Sequence, residues 1–188
     1  EDSEDKKIVP LLRYYRVWNL DQTEGIEYKK PEDNRTEIEI IDEAEEIINN
    51  MPNKPSLEFG GQRAFYRSSD DLVQIPKKEK FFSAAGYYST LFHELGHSTG
   101  HKSRLNRSGI TNIAAKGSEI YSKEELVAEM TSSFLLGEIG LANDEEMENQ
   151  AAYIGSWLQV LKNDEKFVVQ AAAQAQKATD YILNRKWE

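Results

Sequence analysis

Apolar positions change period along this chain. Residues 13–20, RYYRVWNL, are rich in aromatic and β-branched side chains and predict a strand, its aromatics core rather than a base-stacking platform. Turn chemistry follows at 21–25. Beyond Thr36, Ile40, Ile41, Ala44, Ile47 and Ile48 recur at helical spacing until Asn49, Asn50 and Pro52 stop them. Between 56 and 76 short apolar runs alternate with turn clusters, Gly60-Gly61 and Ser68-Ser69-Asp70-Asp71, and Pro76 closes the last. That pattern predicts a small antiparallel meander or hairpin. From Ala84 the pattern is helical, with helices expected at 86–99, 123–138, 146–163 and 165–186. Strands first and helices afterwards give an α+β class, a small antiparallel sheet packed on a helical bundle.

Composition narrows the functional classes. The 188 residues suit one domain with an arm: a flexible segment at 1–12, EDSEDKKIVPLL, and a domain over 13–188. The first residue is Glu with no apolar leader behind it, so the chain is expected to be a fragment, its arm the remnant of a linker. No apolar run is long enough to span a membrane. Cysteine is absent, which excludes disulfides, thiolate ligands and thiol nucleophiles. The net charge of −10 is uneven: −8 over residues 1–50, +4 over 51–107 and −6 over 108–188. An acidic surface speaks against nucleic acid as this chain's main partner, because phosphate binding needs a basic footprint.

The chemistry concentrates in residues 87–105, YYSTLFHELGHSTGHKSRL. His93-Glu94-Leu95-Gly96-His97 is an H-E-x-x-H pattern on a predicted helix. Histidines four apart share a helix face, so both imidazoles can meet one Zn²⁺. Glu94 then stands where it can take a proton from a metal-activated water and return it to a leaving amine. At 100° per residue Tyr88, Leu91, Phe92 and Leu95 fall on one side and the histidines roughly opposite, so the helix anchors to the core and turns its imidazoles to a cleft. Gly96 costs about 1 kcal/mol against Ala in a helix interior, which makes sense if another backbone approaches there.

A third ligand is needed. His101 lies eight residues from His93, about 12 Å of helix rise, and fits a loop role better. Ser103 occupies the position of the third His in the long-spaced zinc pattern. Residues 121–136, YSKEELVAEMTSSFLL, place Leu126, Val127, Met130 and Phe134 on one helix face and Glu125, Glu129 and Ser132 on another. One Glu can complete a His₂Glu site and the other orient an imidazole. Ser122-x-x-Glu125 also reads as a capping box, and helix physics leaves Glu125 and Glu129 level as third ligand.

With these residues the chain resembles the gluzincin branch of the zincin metallopeptidases, in which the ligand Glu sits second in an Asn-Glu-x-x-x-Asp pattern. Glu124 stands for the Asn and Glu129 for the Asp, both departures, and the resemblance implies Glu125 as ligand with Glu129 behind a ligand His. The phrases VWNLDQTEGI (17–26), FHELGHSTGHKSRLNR (92–107), YSKEELVAEM (121–130) and AAYIGSWLQVLKND (151–164) resemble the C-terminal zincin-like metallopeptidase domain of ArdC-type antirestriction proteins and of polyvalent proteins.

The resemblance implies a bacterial, cytoplasmic zinc metallopeptidase domain of a mobile element, acting on a peptide or protein substrate. Mn²⁺ or another divalent ion is an open alternative to Zn²⁺. Single-stranded DNA would be met only through a separate N-terminal domain. By the same resemblance an edge strand beside the metal helix holds substrate. That strand would be Leu72, Val73, Gln74 and Ile75, or else residues 63–66. Tyr121, Tyr88, His101 and Arg104 are candidate oxyanion donors, Tyr121 the one carried forward. The alternative reading is a non-catalytic zincin-fold module that sequesters a DNA-processing or restriction protein.

Overall fold

The computed structural model describes residues 23–25, 39–111, 119–141 and 165–185. The chain divides into two compact units, Glu1–Asp33 and Asn34–Glu188, and every element below belongs to the second. The strand expected at 13–20, the helix at 146–163 and the core stripe around Trp157 fall outside the described residues.

Helix α1 spans Asp42–Asn50 and buries Ala44 and Ile48, two of the residues whose spacing predicts it. Strands β1 (Ser56–Phe59), β2 (Phe65–Arg67) and β3 (Leu72–Ile75) follow. Their order is β1-β3-β2, with β1 parallel and β2 antiparallel to β3. The sheet is therefore mixed rather than wholly antiparallel. Gly60-Gly61 ends β1 without reversing it beside β2, and β3 enters between the two. The positive φ of Asp71, 48°, turns the chain directly into β3.

A 3₁₀ turn at Lys78–Lys80 leads to α2, Ala84–Thr99, whose start Ser83 caps by accepting a hydrogen bond from the Gly86 N–H at 3.0 Å. Tyr87, Tyr88, Leu91, Phe92 and Leu95 are at most 2% exposed, and burial of such side chains is worth about 1.5–3 kcal/mol each before entropy is counted. They join Val73, Ile75, Ile48, Leu135, Leu136 and Ile182 in the main core. Short α3, Ser108–Thr111, precedes α4, Glu119–Glu138, and α5 covers Glu165–Ile182. A second cluster, Leu126, Val127, Phe167, Ala171 and Ala175, joins α4 to α5.

Helices α2 and α4 meet closely at Gly96, where a β-carbon would lie 3.3 Å from Ala128 Cα and 3.4 Å from Ala128 O. The close backbone approach expected at this glycine is present, and it places the His-bearing and Glu-bearing faces against each other. No helix among the described residues is long and apolar enough to cross a membrane.

Candidate metal centre

His93 and His97 leave α2 on the side opposite its apolar stripe, with their Nε2 atoms 3.1 Å apart. Glu125, from α4, faces both: Oε1 is 3.5 Å from His97 Nε2 and Oε2 is 3.8 Å from His93 Nε2. Among the described residues these three form the group whose donor atoms all lie within 4.8 Å of one another. Metal–ligand bonds of about 2.0–2.1 Å in a tetrahedron put donors about 3.3 Å apart, so the spacing fits a single small divalent ion.

The other ring nitrogens are also engaged. His93 Nδ1 meets Glu129 Oε1 at 3.3 Å, and His97 Nδ1 meets Glu124 Oε1 at 3.4 Å. Each imidazole thus faces a carboxylate on its outer side and turns Nε2 inward, the arrangement that orients a metal-binding histidine. Glu129 faces the outer nitrogen of His93, away from the point where the two Nε2 atoms converge. Ser122 sits inside α4, not ahead of it, so the capping-box reading of Glu125 lapses.

Burial favours a neutral His93, but the Glu129 carboxylate at Nδ1, with Glu94 and Glu125, outweighs it and raises the imidazole above its ordinary value. Glu94 is 8% exposed. Burial pushes its carboxyl up, more than His97, His93 and a hydrogen bond from the Tyr66 backbone N–H pull it down. Glu124 moves the other way: burial would raise it, but Arg107 and His97 hold it below the usual carboxylate range. Four carboxylates, Glu94, Glu124, Glu125 and Glu129, surround two imidazoles, and Arg107 is the guanidinium paired into the cluster. Such a like-charged buried group is a donor set suited to a cation.

A cleft of about 530 Å³ opens beside these residues, walled by β2 and by Gly109 and Ile110. Leu72–Ile75 does not serve as its edge strand. Both edges of β3 are hydrogen-bonded, to β1 and to β2, and Leu72, Val73 and Ile75 are buried, so an added peptide has no edge to pair with. The Gln74 Nε2 donates to the Arg63 carbonyl at 3.2 Å. The strand that borders the cleft is β2, which overlaps the alternative at 63–66 in Phe65 and Tyr66.

Other candidates lie elsewhere. The Tyr88 hydroxyl donates to Glu45 at 2.8 Å in the core, on the far face of α2. The Arg104 side chain is fully buried and bonds Asp71, the Tyr66 hydroxyl and the Ser98 and Asn53 carbonyls. His101 Nδ1 pairs with Ser103 Oγ at 2.7 Å, outside the donor group. The side chain of Tyr121 falls outside the described residues. A larger cavity, about 680 Å³, borders α1 and β1 and contains none of the H-E-x-x-H residues; its Glu45 and Lys78 pair at 2.8 Å. Sequence reasoning did not find Arg107, the Glu124 contact to His97, or the Tyr66 N–H on Glu94.

Residues 42–174 match the family model described as zincin-like metallopeptidase. The chain belongs to that family. Two Escherichia coli proteins named DNA primase TraC are each 38% identical, over 174 and 176 residues; the match takes in 93% of this chain but 12% and 16% of theirs. Protein y4eC of Sinorhizobium fredii is 35% identical over 177 residues, 92% of this chain and 54% of its own length. The chain thus spans about half or less of the curated relatives it matches. Among solved structures, the Mn(II)-bound antirestriction protein ArdC of plasmid R388 superposes with a TM-score of 0.62 at 34% identity, covering 82% of this chain and 57% of that one. Its metal-free form gives 0.57 at 36% identity, covering 77% and 49%. The ArdC-type resemblance and the α+β, zincin-like fold class therefore hold.

Proposed function

We propose that this domain is a metal-dependent peptidase in which His93, His97 and Glu125 hold the ion and Glu94 is the general base. The observation that carries the reading is the convergence of two Nε2 atoms and a carboxylate on one point, with a buried glutamate of raised pKa in the adjoining cleft. Zn²⁺ is the expected ion; the Mn(II) bound by the ArdC neighbour keeps Mn²⁺ beside it. When bound, the ion supplies Lewis acidity toward water and a peptide carbonyl.

The chain's own groups do the rest. Glu94 takes the proton of the attacking water on its carboxylate and delivers it to the leaving nitrogen. Glu124 and Glu129 keep Nδ1–H on the two imidazoles and Nε2 free. An extended peptide lies beside residues 63–66, bound by main-chain hydrogen bonds as an added strand. The domain, residues 13–188 by the sequence pattern, works inside a longer, plasmid-type bacterial cytoplasmic protein, whose other parts meet single-stranded DNA.

Glu94→Gln is the test. The variant is expected to keep its metal and lose peptide hydrolysis by at least about a hundredfold. Full activity in Glu94→Gln would remove the catalytic assignment. An effect on restriction or DNA processing that survives Glu94→Gln but not surface substitutions would favour the sequestering module instead.

A further inference from the structure

We infer that Arg107 is a positioning residue for the metal centre, acting on His97 from two sides and tying its orientation to the docking of the 100–111 loop. The inference rests on the metal reading proposed above.

Arg107 lies ten residues beyond His97, outside both the H-E-x-x-H pattern and α4, and its side chain is 7% exposed. Its guanidinium grips Glu124 at two points, Nε donating to Oε2 at 3.0 Å and Nη2 to Oε1 at 2.5 Å. That same Oε1 faces His97 Nδ1 at 3.4 Å. Nη2 also donates to the Gly96 carbonyl at 2.8 Å, the peptide immediately before His97, and Nη1 to Thr99 Oγ1 at 2.6 Å. One planar cation thus fixes the backbone that carries the ligand and the carboxylate that orients its ring. A two-point guanidinium–carboxylate pair holds direction as well as charge, which a lysine cannot reproduce.

The loop that carries Arg107 is bound to the site by further contacts. The Arg107 N–H donates to the Gly100 carbonyl at 3.0 Å and the Leu105 N–H to the Thr99 carbonyl at 2.8 Å, folding the chain back on the end of α2. Two residues on, Gly109 lies so close to Glu124 that a β-carbon there would stand 2.8 Å from Glu124 Cβ. Gly109 and Ile110 then form a wall of the cleft. Whatever orders Glu124 and His97 therefore also orders that wall. Metal binding and loop docking share Arg107 as their common contact.

The test uses the whole chain, with Zn²⁺ and Mn²⁺ affinities measured by competition against a chromophoric chelator. Urea unfolding of the metal-free proteins is followed separately. The proteins are wild type, Arg107→Gln, Arg107→Lys, Glu124→Gln and the Arg107→Gln/Glu124→Gln pair. Arg107→Gln is expected to weaken metal binding by about ten- to hundredfold, with Arg107→Lys in between. In the Glu124→Gln background the same change is expected to cost clearly less than it does alone, because the route through the carboxylate is already cut and only the contact to the Gly96 carbonyl remains.

In wild type the metal is expected to protect residues 100–111 from hydrogen exchange, and in Arg107→Gln that protection is expected to shrink. Wild-type affinity in Arg107→Gln with lowered urea stability overturns the inference, leaving Arg107 a plain stabilising contact. Equal losses in both backgrounds overturn it too. If Arg107→Gln does not fold, Arg107→Lys carries the comparison, and wild-type affinity there overturns it. A wild-type chain that takes up neither metal refutes the metal reading itself, a result distinct from a variant that binds as well as wild type.

Discussion

Replacing Gly96 with alanine sets helix propensity against packing. In an unconstrained helix interior the change stabilises by about 1 kcal/mol. Here the new β-carbon would meet Ala128 Cα and Thr131 Cβ at 3.3 Å each and Ala128 O at 3.4 Å. Two of these are backbone atoms, which yield only if α4 yields. Thr131 is no softer, since its hydroxyl is bonded to the Val127 carbonyl at 2.7 Å. Carbon–carbon contacts relax at about 3.5–4.0 Å, so the helices must part by a few tenths of an ångström, and overpacking of this kind costs about 1–3 kcal/mol. Packing wins or draws: the expected net change in urea unfolding is a loss of about 0–2 kcal/mol.

Metal affinity is the sharper readout. Gly96 precedes His97 and Ala128 is three residues after Glu125, so parting there draws His97 Nε2 from Glu125 Oε1, now at 3.5 Å. A loss of about tenfold in Zn²⁺ affinity by chelator competition corresponds to about 1.4 kcal/mol. A Gly96→Ala protein that gains about 1 kcal/mol and binds metal like wild type would show slack between the helices and refute the close-approach argument.

Two further outcomes test the ligand assignment and the support of β2. Glu125→Gln is expected to lower metal affinity well beyond the effect of Glu129→Gln, itself about tenfold, because one removes a donor and the other only its orienting partner; the reverse ranking in the chelator assay would exchange their roles. Asp71 is subject to burial, which raises its carboxyl, but the bonds from Arg104 and Tyr66 outweigh it and hold the group below its ordinary value of 3.8. A depressed folded pKa gives stability that is complete above the unfolded value and lost as pH falls through the folded one. Asp71→Asn is therefore expected to be less stable than wild type by a constant margin near neutral pH, with the margin closing below about pH 3.8 in urea titrations; a margin that persists in acid would mean that the charge on Asp71 is not what holds Arg104.

Helices α1, α2, α4 and α5 were legible because each announces itself locally, whereas the single turn of α3 lies in a stretch with no helical period. The stripe of Tyr88, Leu91, Phe92 and Leu95 fixes how α2 is rotated, and the histidines then have to face away from the core. Gly96 was legible for the same reason: a glycine inside so apolar a helix has a local cost that needs a non-local cause. The sheet was less so. Period and turn residues mark where strands begin and end, but β3 entering between β1 and β2 depends on which strand best covers the core. Leu72, Val73 and Ile75 are buried where Ser56, Glu58 and Phe59 are exposed. The more apolar run takes the centre of a sheet, and that same comparison, applied to Leu72–Ile75, argues against it as the edge that receives a peptide.

The site was legible in its donors and not in what orients them. H-E-x-x-H needs only the 3.6-residue period to bring its two rings together, whereas choosing between Glu125 and Glu129 needs the azimuth of α4 against α2, which no local pattern encodes. That azimuth is set by Ala128 against Gly96 and by the Ser132 hydroxyl bonded to the Ser89 carbonyl at 2.8 Å. Arg107 was the least legible of all, one of several basic residues in a loop with no periodicity to read. Its importance comes from what surrounds it: a buried carboxylate needs a cation, and the chain supplies one from the loop that closes over the end of α2. A buried acidic residue beside a metal motif therefore calls for a search among the nearby loop arginines, because leaving it unpaired would cost several kcal/mol.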